Sequence, residues 1–428
     1  MIRKPLFPSF IRHIQHSSFA RILPWVVCAL AALFYFYELC LRVALGTMVP
    51  EVAASLTLLP WQIGMLSTFY YYSYTPMQIV AGALLDRWGA RVLLTTMVLL
   101  CAAGAFMFAY TPYFWLALLA QLVIGFASAF AFVGVLKLAT IWLPLRYFSF
   151  ISGLTTALGM IGAMLSNIII AMVMGRAGWR GVWAWFGYFG IFLMVVFLAL
   201  CIDGPESSSV KKAAGRPRMV HWSDIRADFM LMVRSTYFWV NAVIGGLLYF
   251  PTTSFASLWG IPYLQIAHHF DKLTASTIVS MIFFGWAIGG PVAGWLSHEF
   301  IEKKTMLLWG GVVALGLITV ILYGHIDNIY GLSVLFMLFG VFSSVEVLVF
   351  DVAARLFQNR SAGTAASMTN FILMLVCTIL QPVIGIFLPK NGTVHDYQSI
   401  LAILPLGLAI AVVMVCFFYK EKKPNEAE

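Results

Sequence analysis

Charge is scarce in this chain: of 428 residues only 10% are Asp, Glu, Lys or Arg, 62% are hydrophobic, and the mean hydropathy is +0.92. Soluble domains carry about 25% charged residues. A soluble globular fold is therefore excluded, and with it the nucleic-acid role that a net charge of +9 would suggest in a soluble protein. Between the apolar runs only one long polar interval occurs, 203–234. Cysteines are few, and Cys28, Cys40, Cys101, Cys201, Cys377 and Cys416 lie in apolar runs without paired spacing. They read as small core residues, not as a disulfide framework or a zinc site. There is no Walker-type phosphate loop, so ATP hydrolysis is not expected. The eight histidines fall mostly in tails and loops, leaving no constellation for a membrane enzyme and no implied cofactor.

What is present is a series of apolar runs at 22–48, 61–84, 91–110, 113–141, 148–173, 181–202, 236–261, 274–297, 305–323, 329–354, 363–388 and 398–419. Each is near the ~20 residues that span a hydrocarbon core. The expected fold is an all-α membrane protein of twelve transmembrane helices in two pseudo-symmetric six-helix bundles. Residues 1–202 form the first bundle, 203–235 a cytoplasmic linker, and 236–428 the second bundle and tail. The linker contains G-P-E-S-S-S, a Lys-Lys pair and G-R-P-R, which suits a mobile connection. The basic N-terminus precedes an apolar run too long for a signal peptide and without a small-residue cleavage site, so it reads as a retained first helix. With both termini cytoplasmic, 21 of the 26 Lys and Arg fall on the cytoplasmic side; Arg176, Arg180, Lys272 and Lys390 lie outside it and Arg42 lies within a helix. The positive-inside rule favours that orientation, and the expected compartment is a bacterial inner membrane.

The halves read as distant repeats, as duplicated transporter bundles do. Pro50 and Pro262, Gly82 and Gly294, and Arg91 and Lys303 each stand 212 residues apart, and Gly125 and Gly340 stand 215 apart. Gly82 to Arg91, G-A-L-L-D-R-W-G-A-R, is a short charged turn between the second and third runs. Gly82 is expected to let a helix end approach a neighbour, and Gly89 to supply a turn conformation costly for other residues. This decapeptide resembles the Gly-x-x-x-Asp-Arg-x-Gly signature of the major facilitator superfamily, departing only at Ala90, where that family often has Arg or Lys. The resemblance implies that Asp86, with Arg87 and Arg91 beside it, contacts the start of the eleventh helix and helps hold the cytoplasmic side closed. The second copy is degraded, with His298 and Glu299 at the positions of Asp86 and Arg87. Gly178-Trp179-Arg180 resembles a tripeptide common before the sixth span, and Gly159 and Gly162 give the fifth span a small-residue face. Gln121, four residues before Gly125, stands where the family often has Arg, which puts a relay built on that arginine in doubt.

Charges inside membrane helices mark substrate or ion pathways. Glu38 and Arg42 stand at i and i+4 in the first span, on one helical face. R-V-A-L-G-T-M-V-P from Arg42 is similar to the Arg-x-Ala-Leu of the anion:cation symporter branch, where the arginine binds the substrate's anionic group. A planar guanidinium fork suits that task. The alternative is a pair that only satisfies itself. Related organophosphate antiporters use a second arginine in the seventh span; this chain has none there, which favours a carboxylate over a doubly charged phosphate. Ser67, Tyr71, Tyr74 and Gln78 form a polar stripe in the second span, suited to lining a cavity or to bonding between helices. Asn167, Asn370 and Gln381 share that ambiguity. Lys137 and Asp351, within one residue of equivalent positions, are expected to pair across the halves as an inner gate. Glu346 has no cation near it in sequence and is, with Glu38, a candidate proton carrier.

The expected function is secondary active transport of a small organic solute by alternating access. The solute carries a carboxylate, as an organic acid, amino acid or short peptide does, and transport is coupled to a proton or other cation. The rivals are an efflux pump for apolar cations, favoured if Glu38 faces the cavity, and a transport-silent sensor of the same fold. The expected partners are the solute, the coupling ion and membrane lipid; no metal or nucleic acid is implied, and a monomer is expected.

Overall fold

The computed structural model describes residues 22–144, 147–201, 230–356, 362–390 and 392–419, with the side chains of Asp86, Phe148, Ser149, His298, Glu299 and 362–364 outside that description. Most of the expected linker, and the basic residues of both termini, lie outside the described residues. Among the described residues ten helices are long and apolar enough to cross a membrane. The bent pair Val49–Leu56 and Pro60–Leu85 together make another crossing, and Phe148–Leu200 counts as two because Gly178 interrupts it with φ 62° and ψ 169°. The described residues thus make twelve crossings. The first span is Leu23–Thr47, the second Pro60–Trp88, the third Ala90–Tyr110, the fourth Phe114–Ser128 with Phe130–Trp142. The fifth and sixth flank Gly178. The seventh runs from Thr236 to Ala267, the eighth is Lys272–Glu299, the ninth Lys303–Tyr323, the tenth Ile329 to Leu356, the eleventh Ala362–Phe387, and the twelfth Val394 to Phe417. Odd spans start on the face where the two halves are joined, the near face; even spans start on the far face.

The second and third spans meet at Gly89, whose φ of 86° and ψ of 147° lie outside the region L side chains prefer, so a glycine is needed there. Gly82 departs from expectation. A Cβ on it would have only Val133 Cγ1 nearby, at 4.0 Å, so no close approach depends on it. The fifth and sixth spans need no loop, because the single positive-φ glycine turns one helix directly into the next. Two other spans are irregular mid-membrane. Thr252–Trp259 of the seventh widens to a π-helix and Ser344–Val347 of the tenth tightens to a 3₁₀ turn, local windings that often accompany functional sites.

The repeat visible in the sequence reappears as packing. A Cβ at Gly125 would fall 2.0 Å from the Tyr70 carbonyl oxygen, and one at Gly340 would fall 2.1 Å from the Ile282 carbonyl oxygen. Fourth packs on second, and tenth on eighth, by the same backbone contact at the offsets read above. The second and eighth spans also begin at equivalent residues. The Leu59 N–H donates to Gln62 Oε1 at 2.8 Å, and Asp271 Oδ2 accepts from the Leu273 and Thr274 N–H groups at 3.0 and 3.3 Å. The fifth span's glycines receive the first: a Cβ would lie 2.4 Å from Tyr35 Cε1 at Gly159 and 2.9 Å from the Phe36 oxygen at Gly162.

The bundles meet where the second span faces the eleventh, the fifth faces the eighth and the first faces the seventh. Near the far face the approach is backbone to backbone. A Cβ at Gly46 would lie 2.3 Å from the Ser257 oxygen, and one at Gly385 would lie 2.8 Å from the Pro60 oxygen and 3.2 Å from Gly64 Cα.

Candidate functional site

The i, i+4 spacing of Glu38 and Arg42 does bring them together. Arg42 Nε and Nη2 both donate to Glu38 Oε1, at 2.8 and 2.5 Å, and the pair is buried, with Glu38 0% and Arg42 9% exposed. The Tyr70 hydroxyl donates to the same oxygen and accepts from Arg42 Nε at 3.2 Å. Three donors therefore converge on Oε1, while Oε2, also buried, has no hydrogen-bond partner among the described residues. The guanidinium lies 4.6 Å from the Tyr74 ring centre and 5.5 Å from that of Tyr70, and those rings stack at 5.5 Å and 21°. Cation–π attraction at such distances is strengthened by burial. Tyr70 is fixed from behind, because its carbonyl carries the Gly125 contact and accepts from Ser73 Oγ at 3.2 Å.

The polar stripe of the second span divides. Tyr74 reaches Arg42 and, across the bundle interface, Asn370. The Tyr71 hydroxyl and Gln78 Nε2 are buried without a partner among the described residues. Ser67 accepts from Gln381 Nε2 of the eleventh span at 2.7 Å. Asn167 is not brought to the cluster; its Oδ1 accepts from Thr47 Oγ1 at 2.9 Å, toward the far-face end of the first span. Sequence reasoning passed over Tyr70 and Tyr249. Tyr249, from the seventh span, lies within electrostatic reach of both Arg42 and Glu346, and its ring meets Trp286 edge-on at 5.4 Å.

Glu346 sits in the 3₁₀ turn of the tenth span, 3% exposed, and no hydrogen bond or ion pair reaches its carboxylate among the described residues. Asp351, one helical turn and more toward the near face, has other partners than those foreseen. Its Oδ2 lies 2.5 Å from Lys303 Nζ and 3.1 Å from Arg355 Nε, so it is engaged within its own half. The offset that suggested Lys137 identifies equivalent positions, not positions that face one another. In the charged turn Arg91 Nη2 donates to the Leu198 carbonyl at 2.6 Å, tying the third span to the sixth, and Arg87 is exposed. The backbone of Asp86 is helical, and the latch anticipated for its side chain lies outside the described residues.

No curated protein sequence matches the chain. Solved structures do match. A bacterial homologue of the human lysosomal transporter Spinster, inward-facing and occupied, superposes with a TM-score of 0.75 at 13% identity, covering 92% of this chain and 96% of that one. The nucleoside transporter NupG superposes with a TM-score of 0.70 at 14% identity, covering 92% of this chain and 100% of that one. At such identity the likeness speaks for the fold alone. The family model described as Major Facilitator Superfamily matches residues 27–381. With twelve spans in two repeated bundles and that match over most of its length, the chain belongs to the major facilitator superfamily and is an integral membrane transporter, not an enzyme.

Proposed function

We propose that this secondary transporter carries a small organic solute bearing a carboxylate, with Arg42 as the anion receptor and Glu38 as the group that holds the guanidinium until substrate arrives. The observation that carries the reading is the uneven pair. All of Arg42's bonds to Glu38 go to one oxygen, so an incoming carboxylate can take over the fork as Glu38, still held by the Tyr70 hydroxyl, takes up a proton, and no bare charge is then left in the membrane. The likeness of the Arg42 segment to the anion:cation symporter branch supports it, as does the lack of a second arginine in the seventh span. Tyr71, Tyr74, Gln78 and Asn370 would complete the lining, and Asn167 would act from the far-face side. Transport proceeds by alternating access, with Asp86, Arg87, Arg91, Gly82, Gly89, Lys137 and Asp351 on the near-face gating side. It is coupled to a proton or other cation through Glu346 or Glu38. The chain works as a monomer in a bacterial inner membrane, with both termini cytoplasmic.

The test is ligand binding by folded Arg42→Lys protein. Lysine keeps the charge and loses the bidentate fork, so affinity for the anionic substrate found by a thermal-shift screen of metabolites should fall about tenfold or more. Wild-type affinity in that variant overturns the assignment. In reconstituted vesicles a proton gradient should drive uptake by the wild type, whereas Gln at the coupling carboxylate should leave exchange only. Uptake that ignores both gradient and ionophore rules out proton coupling.

A second reading, export of apolar cations, is favoured by one observation: the free Oε2 of Glu38 sits beside tyrosine rings that also attract cations. A cationic ligand competing with Arg42 for Glu38 would bind more tightly to Arg42→Ala than to wild type. An anion would do the opposite.

A further inference from the structure

Five ion pairs are formed among the described residues, and one of them joins the two bundles. Lys272 Nζ, at the first residue of the eighth span, meets Glu51 Oε1 on the short far-face helix Val49–Leu56. A lysine in the first turn of a helix stands at the wrong end of the helix dipole and needs an anion nearby. Asp271, its neighbour, is already committed: it accepts from the Leu273 and Thr274 N–H groups and from Thr274 Oγ1, at 2.5 Å for the last. The anion comes instead from the other bundle, where Glu51 in the first turn of its own helix is placed at the favourable end.

Behind this pair the far face is shut by contacts of a different kind. Gly46 on Ser257 and Gly385 on Pro60 and Gly64 are close approaches of backbone, and Ser67 with Gln381 is a neutral hydrogen bond. Neutral close packing holds equally well in any salt. The Glu51–Lys272 contact is the charged element, with side chains 35% and 16% exposed. If the far face opens by separating the bundles, both groups pass into water where they are well solvated, so the pair can set the balance between states without making the closed one irreversible.

We infer that Glu51 and Lys272 are positioning residues for transport, forming a charged latch across the bundles that biases the far face toward closure. The inference rests on alternating access and not on the nature of the solute. Its failure and the failure of the carboxylate reading are therefore separable.

The reporter is Ile63→Cys in a Cys416→Ser background. Ile63 is 1% exposed and lines a cavity of about 320 Å³ between the bundles at the far face, and Cys416 is the exposed native thiol. Labelling of this cysteine by an impermeant maleimide added at the far face should rise about two- to fivefold in Glu51→Gln and in Lys272→Gln. The double neutral variant should add little beyond either single change. The charge-swapped pair, Glu51→Lys with Lys272→Glu, should return labelling toward the low value of the latched parent, and turnover at saturating solute should recover with it while the solute's half-saturation constant stays put. Raising salt at the far face should speed labelling in the parent and not in the double neutral variant. Unchanged labelling in the single variants, or a swapped pair as reactive as the neutral one, overturns the latch. Should a single variant fail to fold, the salt comparison on the parent decides alone, and labelling indifferent to salt counts against the proposal.

Discussion

The second and eighth spans begin on equivalent caps and run in register 212 residues apart, so they can be compared position by position. Ser67 stands against Val279, Tyr70 against Ile282, Tyr71 against Phe283, Tyr74 against Trp286, and Gln78 against Gly290. The backbone contact at Tyr70 and Ile282 is the same, a carbonyl beneath a glycine of the next span but one. The hydroxyls and amide are found on one side only. Packing on this plan needs no tyrosine, since isoleucine serves in the second bundle, and so the Tyr70 hydroxyl on Glu38 is chemistry added to a shared scaffold. The carboxylates follow the same division. Glu38 of the first bundle is held by three donors, and Glu346 of the second stands without a hydrogen bond among the described residues.

The largest test of this contrast is removal of the first bundle's cation. Arg42→Ala leaves Glu38 buried and unpaired, at a cost of about 3–5 kcal/mol. Ser254→Ala in the seventh span should be close to neutral, because that hydroxyl is buried with no partner to lose among the described residues. Thermal unfolding in detergent compares them, and similar losses would mean that the charged cluster is not where the asymmetry lies. Next in size, Gly125→Ala and Gly340→Ala should each cost about 1–3 kcal/mol through overpacking, and by similar amounts. A markedly smaller loss at one site would break the claim of common packing.

The smallest effect concerns the caps. The Thr274 hydroxyl and the Thr274 and Leu273 N–H groups hold the Asp271 carboxyl below its ordinary range. The stability this lends is full above the unfolded value of about 3.9 and is lost as pH falls through the lower folded one. Gln62, which serves the equivalent start of the second span, does not titrate. Hydrogen exchange at Leu273 and Thr274 should therefore quicken in acid before exchange at Leu59, whose N–H the Gln62 side chain holds, and equal acid sensitivity would count against the difference.

The apolar runs, the division into halves, the turn at Gly89 and the Glu38–Arg42 pair were legible because each depends on local composition or on helical spacing. The stripe at Ser67, Tyr71, Tyr74 and Gln78 pointed to the right helix and missed Tyr70, which lies one turn before Tyr74 on the flank of that stripe. What brings Tyr70 to Glu38 is the angle between two spans, a tertiary quantity with no trace in periodicity. The partners of Asp351 and Lys272 were hidden for the same reason. The π and 3₁₀ segments of the seventh and tenth spans also left no mark, because both windings use the same apolar residues as an α-helix.

The fifth and sixth spans are joined through Gly178 alone, whereas the first and second are separated by a short helix that bends 113° into the next span. A joint one residue long transmits torque and has no slack. Tilting the fifth span against the eighth would therefore draw the sixth with it, like two arms of one bracket, and the far-face connection of the first bundle with the most room to give is the one between Thr47 and Pro60.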